Sequence, residues 1–386
     1  MANTKLIRRC IVFMLALSLV LSDKFVGGRR IGTKESKELD KPHKGTVKTI
    51  QGKDGDVIDC VDIYQQPAFD HPLLKNHTIQ MESSSIPNVT NGESYNAELF
   101  QGWHVNGECP EGTIPIRNSR ADEYYAPHTT PQVTLEQDYV AGYEYATAYM
   151  EKGHFYGANA YLNLWNPVIN DGHLSTSQIW ILSGTLSDTN MIEVGWQVTT
   201  LSKEPELFIF WTRDNGKVGC LNLNCPGFVQ TSRRIALGSS LSPVSRYMGS
   251  QFEIGITIYK SYGNWYLRVQ NEVLGYWPRS LFTNLAAVGE KVMWGGTVYS
   301  SGTKDGSHTS AQMGSGSFPN EGFGKASYIR NLQYMNGDGT FEDADKGLRT
   351  FATRPACYNI SLENNKKGAY RTHFYFGGPG FSIACP

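Results

Sequence analysis

The sequence predicts an all-β protein, an antiparallel β-sandwich preceded by a small β-rich unit. Three observations carry that expectation. From about residue 143 onward, short runs with period-two alternation or dense aromatics recur: Ala160–Leu164, Ser177–Leu182, Glu193–Thr199, Leu207–Thr212, Phe252–Tyr259, Trp265–Gln270, Lys291–Tyr299 and Tyr328–Tyr334. Clusters of Gly, Asn, Asp, Ser or Pro separate most of them, as at Asp214-Asn215-Gly216 and Asn336-Gly337-Asp338-Gly339. No stretch alternates strands with helices, which argues against a doubly wound parallel sheet.

In chain order, Lys5, Arg8 and Arg9 precede an apolar run from Cys10 to Leu21, followed by Ser22-Asp23. The run is short for a bilayer span, and its basic flank fits a secretory signal peptide over residues 1–22. Residues 23–53 are polar, rich in Lys and Gly and without apolar period, so a flexible leader is expected there. Residues 54–120 contain Asp59–Tyr64, Ala68–Leu74 and Gly107–Ile116 and read as the small β-rich unit. Residues 121–140 are mixed and polar, a linker or processing region. Residues 141–386 hold the sandwich, with helix expected only around Arg279–Ala287.

Secretion would oxidise the six cysteines beyond Cys10. Their sequence order suggests Cys60–Cys109, Cys220–Cys225 and Cys357–Cys385, one of many pairings that the number permits. Sequons at Asn76, Asn88 and Asn359 suit the same compartment. A net charge of −1 gives no global field for nucleic acid or an anionic membrane. No HExxH, CxxC pair, GxSxG, P-loop or dinucleotide fingerprint occurs, so neither a metal nor a cofactor is expected.

The stretch with most chemical promise is Met191–Val198. Its even positions, Ile192, Val194, Trp196 and Val198, are apolar; its odd positions carry Glu193 beside Gly195 and Gln197. Side chains alternate between faces of a strand, so Glu193 stands on the face away from the core. Either it is a solvated acid on a half-buried strand, or it does acid–base work and needs a second titratable partner.

Several longer motifs now resemble the neprosin family in order and content. They are Ser177-Gln178-Ile179-Trp180, Met191–Val198, Gly227-Phe228-Val229-Gln230, Leu274–Pro278, Trp294-Gly295-Gly296, His308–Gly316, Phe318-Pro319 and Tyr375–Gly380. Asp59–Leu74 and Cys109–Ile116 look like that family's activation peptide, so the resemblance covers nearly all of the chain after residue 54. It implies a plant secreted glutamic peptidase made as a zymogen, cleaving after proline at acid pH, with its own pro-domain and a proline-rich peptide or protein as partners. It also implies an extracellular location, in the cell wall or apoplast, with no membrane attachment after signal cleavage.

The resemblance further implies two catalytic glutamates on the concave face. The first matches Glu193. The second would follow Trp-Gly-Gly, where this chain has Thr297. A hydroxyl does not titrate near working pH and cannot share a proton with a carboxyl. The expectation is therefore a weak or inactive homologue; the alternative is a non-catalytic sandwich that binds peptides or cell-wall polymers. Glu290 and Glu272 are candidates to replace the missing acid. Gln178, Trp180, Gln197, Trp294 and Gln312 fall inside matched motifs and are candidates for a peptide groove, although for both tryptophans the core is the default. His308 is a candidate partner for a cleft carboxylate. Residues 54–120 are expected to dock against the sandwich, covering Glu193.

Overall fold

The computed structural model describes residues 41–81, 100–118, 142–170, 173–202, 204–300, 308–365 and 368–386, with the side chains of 364 and 365 excepted. Residues 1–22, read as a signal peptide, most of the expected leader, Asn88 and residues 121–140, read as a linker, lie outside the described residues.

The N-terminal region builds a sheet of β1 (Thr46–Gln51), β2 (Val57–Asp62) and β3 (Thr113–Arg117), all antiparallel, in the order β1-β2-β3. Thus the expected leader is ordered from Thr46 onward: Val47, Lys48, Thr49 and Gln51 of β1 are exposed while Ile50 packs beneath. Asp59 anchors this start, accepting hydrogen bonds from the His43 N–H and the Thr49 hydroxyl. Cys60–Cys109 ties β2 to the loop before β3.

The rest is a sandwich. Its strands are β4 (Tyr143–Phe155), β5 (Gly157–Asn163), β6 (His173–Ser183), β7 (Asn190–Thr199), β8 (Glu206–Arg213), β9 (Val218–Leu221) and β10 (Val229–Gln230). They continue with β11 (Glu253–Ser261), β12 (Asn264–Val269), β13 (Glu272–Trp277), β14 (Gly289–Ser300) and β15 (Ser327–Met335). The last are β16 (Phe341–Asp343), β17 (Arg349–Ala352), β18 (Asn359–Asn365) and β19 (Arg371–Gly377). One sheet runs β17-β4-β14-β6-β7-β8-β9; the other runs β10-β13-β12-β11-β5-β15-β19-β18, with β16 on β15. All described strand pairs are antiparallel, and each run read as a strand from its alternation is one. The expected helix at 279–287 is a single 3-10 turn, Arg279–Leu281. Pro278 starts that turn, and the following residues instead meet Asn190, whose Oδ1 accepts from the N–H groups of Thr283, Asn284 and Leu285.

The core between the sheets takes the even positions of β7, Ile192, Val194, Trp196 and Val198, against residues such as Leu162, Ile256, Ile258 and Phe374 of the facing sheet. Cys220–Cys225 and Cys357–Cys385 form as their order suggested.

Candidate active site

Strand alternation fixes what shares a face with Glu193. Along one cross-sheet row the register aligns Tyr149, Met293, Trp180, Glu193 and Phe210. The next row on that face holds Thr147, Gly295, Gln178, Gly195 and Phe208; the one after it holds Tyr145, Thr297, Thr176, Gln197 and Glu206. Glu193 and Thr297 therefore lie on one face, two strands and two rows apart.

Glu193 is 5% exposed, among the buried cluster of Trp180, Met191, Phe208, Phe210 and Met293. Burial in these apolar surroundings pushes its pKa up to about 8, against the hydrogen bond from Gln178, which acts downward. That bond runs from Gln178 Nε2 to Glu193 Oε2 at 2.6 Å. Gln178 reaches it because glycines flank it in its row. A Cβ on Gly195 would lie 2.1 Å from the Ser177 carbonyl oxygen and 2.5 Å from Gln178 Cβ, and one on Gly295 2.4 Å from the Ala146 oxygen. Side chains at either position would force the strands apart.

The same face carries buried polar atoms without a hydrogen-bond partner: Tyr145 Oη, Thr147 Oγ1, Gln178 Oε1, Trp180 Nε1, Gln197 Oε1 and Thr297 Oγ1. Buried hydrogen-bonding groups are nearly always satisfied in folded proteins, so these atoms are candidates to pair with a group from outside, Trp180 Nε1 as a donor and the Gln178 and Gln197 oxygens as acceptors. Tyr145 is close enough to Glu193 for the carboxylate charge to help burial raise its pKa well above the usual phenol range.

The register puts two further carboxylates on this face, and both are ion-paired. Glu151 meets Arg349 at 3.2 Å, and Glu206 meets Arg117 of β3 at 3.4 Å. Glu290 is exposed at the sheet end, accepting from Ser183 Oγ and the Gly184 N–H. Glu272 belongs to the other sheet, accepting from Ser232 Oγ. Neither shares the face around Glu193.

Two groove candidates fall elsewhere. Trp294 is three residues from Thr297, so the strand turns it to the opposite face, where it is fully buried in the central core. Gln312 is used by a loop, its Oε1 accepting from the Val168 N–H at 2.9 Å. His308 contacts Glu144 through Nε2, not Glu193, and Glu144 points away from the Tyr145 side of β4. His308 also lies close to Cys357 and Cys385, whose sulfurs are joined to one another. The signals missed from sequence were Tyr145 and Thr147, whose register opposite Thr297 and Gly295 becomes visible only once β4 is paired with β14.

A family model described as Neprosin matches residues 171–379, over half of the chain. The chain belongs to the neprosin family. A second family model, Neprosin activation peptide, matches residues 49–156, from within β1 to just past the end of β4. This neprosin-family chain is also similar to scytalido-glutamic peptidase solved with a transition state analog inhibitor, at 10% identity and TM-score 0.35, over 60% of this chain and 97% of that one. It is similar to SCP-B, a member of the Eqolisin family of peptidases in complex with the tripeptide Ala-Ile-His, at 8% identity and TM-score 0.32, over 62% and 98%. A chicken liver agglutinin, CG-16, matches at 6% identity and TM-score 0.23, over 39% and 92%.

Proposed function

We propose that this neprosin-family protein is a secreted peptide-binding homologue of the glutamic peptidases, made as a zymogen, that cleaves proline-containing peptides weakly or not at all. The observation that carries this reading is the face around Glu193, where a buried carboxyl stands among unsatisfied hydrogen-bonding groups and no second free acid accompanies it among the described residues. An extended peptide presents alternating N–H and C=O groups, the chemistry those side chains lack. The signal-like N-terminus and three disulfides support secretion.

Hydrolysis needs one group to take a proton from water and another to give one to the leaving amine or stabilise the oxyanion. Below about pH 8 Glu193 is protonated, a donor without a base. Above that it is a base without an acid, since Thr297 does not titrate. Gln178 holds one carboxyl oxygen but moves no proton. Loss of one member of such a pair costs roughly 10²–10⁴ in rate.

The test is cleavage of a proline-rich peptide between pH 2 and 7 by acid-treated wild type, Glu193→Gln and Thr297→Glu. The expected result is little or no wild-type product and clear cleavage by Thr297→Glu. Robust wild-type cleavage that disappears in Glu193→Gln would overturn the reading. The second reading, a purely binding sandwich, is favoured by the unpartnered Thr297 hydroxyl; it predicts peptide binding by wild type with no fragments from any variant.

A further inference from the structure

The activation-peptide region is attached to the sandwich by more than its chain connection. Its residues Val61, Ala68, Leu74, Ile114 and Ile116 belong to the same buried cluster as the sandwich core, and Trp103 is fully buried beside Ala236. From Pro42 to Pro386 the chain is one compact unit.

Two buried glutamines do the polar part. Gln66 gives its Nε2 to the Gln230 carbonyl at 3.1 Å and takes the Gln230 N–H on Oε1 at 2.8 Å. Gln101 does the same to Ala236, at 2.8 Å each way. Each carboxamide thus satisfies both main-chain groups of one residue, as a neighbouring strand would. Gln230 is in β10, the terminal strand of its sheet, so Gln66 closes an edge that would otherwise be open. The edge of the N-terminal sheet is closed in return, with Ile116 of β3 bridged in parallel to Leu237. Around these lie His77 and the Gln80 N–H on the Tyr276 hydroxyl at 2.7 and 2.9 Å, and Arg117 on Glu206. Departure would leave main-chain donors and acceptors of both partners without partners and open the core beneath.

We infer that the sandwich carries, on the β10 edge and the 232–242 segment, a docking surface that retains residues 42–118 after the chain is cut between 118 and 142. Cleavage of the connector is then not release: the cut protein persists as two non-covalently joined fragments. This goes beyond the proposed function and does not depend on peptide cleavage.

The test inserts a recognition sequence for a site-specific protease between residues 118 and 142 of the full chain and cuts it. Size exclusion at neutral pH, with denaturing gels of each fraction, reads whether the fragments travel together. The expected result is one species of the intact mass at micromolar and at nanomolar concentration. Fragments that separate at micromolar concentration would overturn the inference. A second arm cuts Gln66→Leu and Gln101→Leu singly, each first shown by thermal melting of the uncut chain to be folded. Each loss should weaken retention about tenfold or more; retention unchanged in both would overturn the assignment of the two glutamines as the clamps.

Discussion

Gln178 bonds Glu193 diagonally across neighbouring strands, Nε2 to Oε2 at 2.6 Å, while its own Oε1 stays without a partner. The acid of the site is thus held by a group that cannot take its proton.

Glu193 makes stability pH-dependent in a definite direction. Its folded pKa, about 8, lies above the ordinary value of 4.5, so between them the folded state binds more protons than the unfolded chain. Stability therefore falls as pH rises from about 4.5 to about 8, by up to roughly 1.4 kcal/mol per pH unit. Glu193→Gln removes that slope. Melting curves should show the variant close to wild type near pH 4 and clearly more stable at pH 9.

Gln178→Leu removes the group that favours the charged form of Glu193. The carboxyl should then titrate above 8, followed by the infrared carbonyl band of the protonated acid. Above that pH the fold should lose about 1–3 kcal/mol for a charge left without its hydrogen bond.

Thr297→Val should leave thermal stability unchanged or raise it, because the deleted hydroxyl makes no protein hydrogen bond and is buried. The same change should weaken peptide binding, measured by calorimetry, if the hydroxyl serves a bound peptide. A drop in melting temperature by several degrees would show that Thr297 is a packing residue of the fold instead.

Gly195→Ala and Gly295→Ala should each destabilise by roughly 1–3 kcal/mol, since the added carbon would meet the main chain of the adjacent strand. Denaturant titration would show it, and Gly195→Ala should also displace Gln178 from Glu193.

Acid should loosen the segment from His71 to Gln80. His77 Nε2 shares a hydrogen bond with Tyr276 Oη, with Gln80 and Asn264 alongside; His71 sits against Trp211 and near Arg213. Burial lowers the pKa of both, and Arg213 lowers that of His71 further. Their stabilising contribution is fully present above the ordinary value of about 6.5 and is lost as pH falls through the folded values. Hydrogen-exchange protection of residues 71–80, relative to the intrinsic rate at each pH, should fall between pH 7 and 4, and His77→Phe should flatten part of that dependence.

Strand alternation made most of the sandwich legible. The even positions of β7 are inside and Glu193 is on the other face because nothing in Met191–Val198 breaks the two-residue period. The same rule, applied to Trp294 and Thr297, separates them, three residues being an odd step. What the chain does not spell out is which strands are neighbours. Gln178 and Glu193 are fifteen positions apart, and Tyr145 and Thr297 much further, so their juxtaposition depends on sheet order. The short β1 escaped notice because its outward Lys and Thr residues look like leader, and the 279–287 stretch read as helix because its cap to Asn190 is a tertiary contact.

The Cys60–Cys109 bridge closes a loop that includes Gln66, Leu74, Gln101 and Trp103. A protease that nicks the chain anywhere from 61 to 108 therefore frees no fragment: both ends remain covalently linked, and the product migrates as a single band until a reductant is added. Sample handling with thiols would make such a nicked molecule look like a processed one.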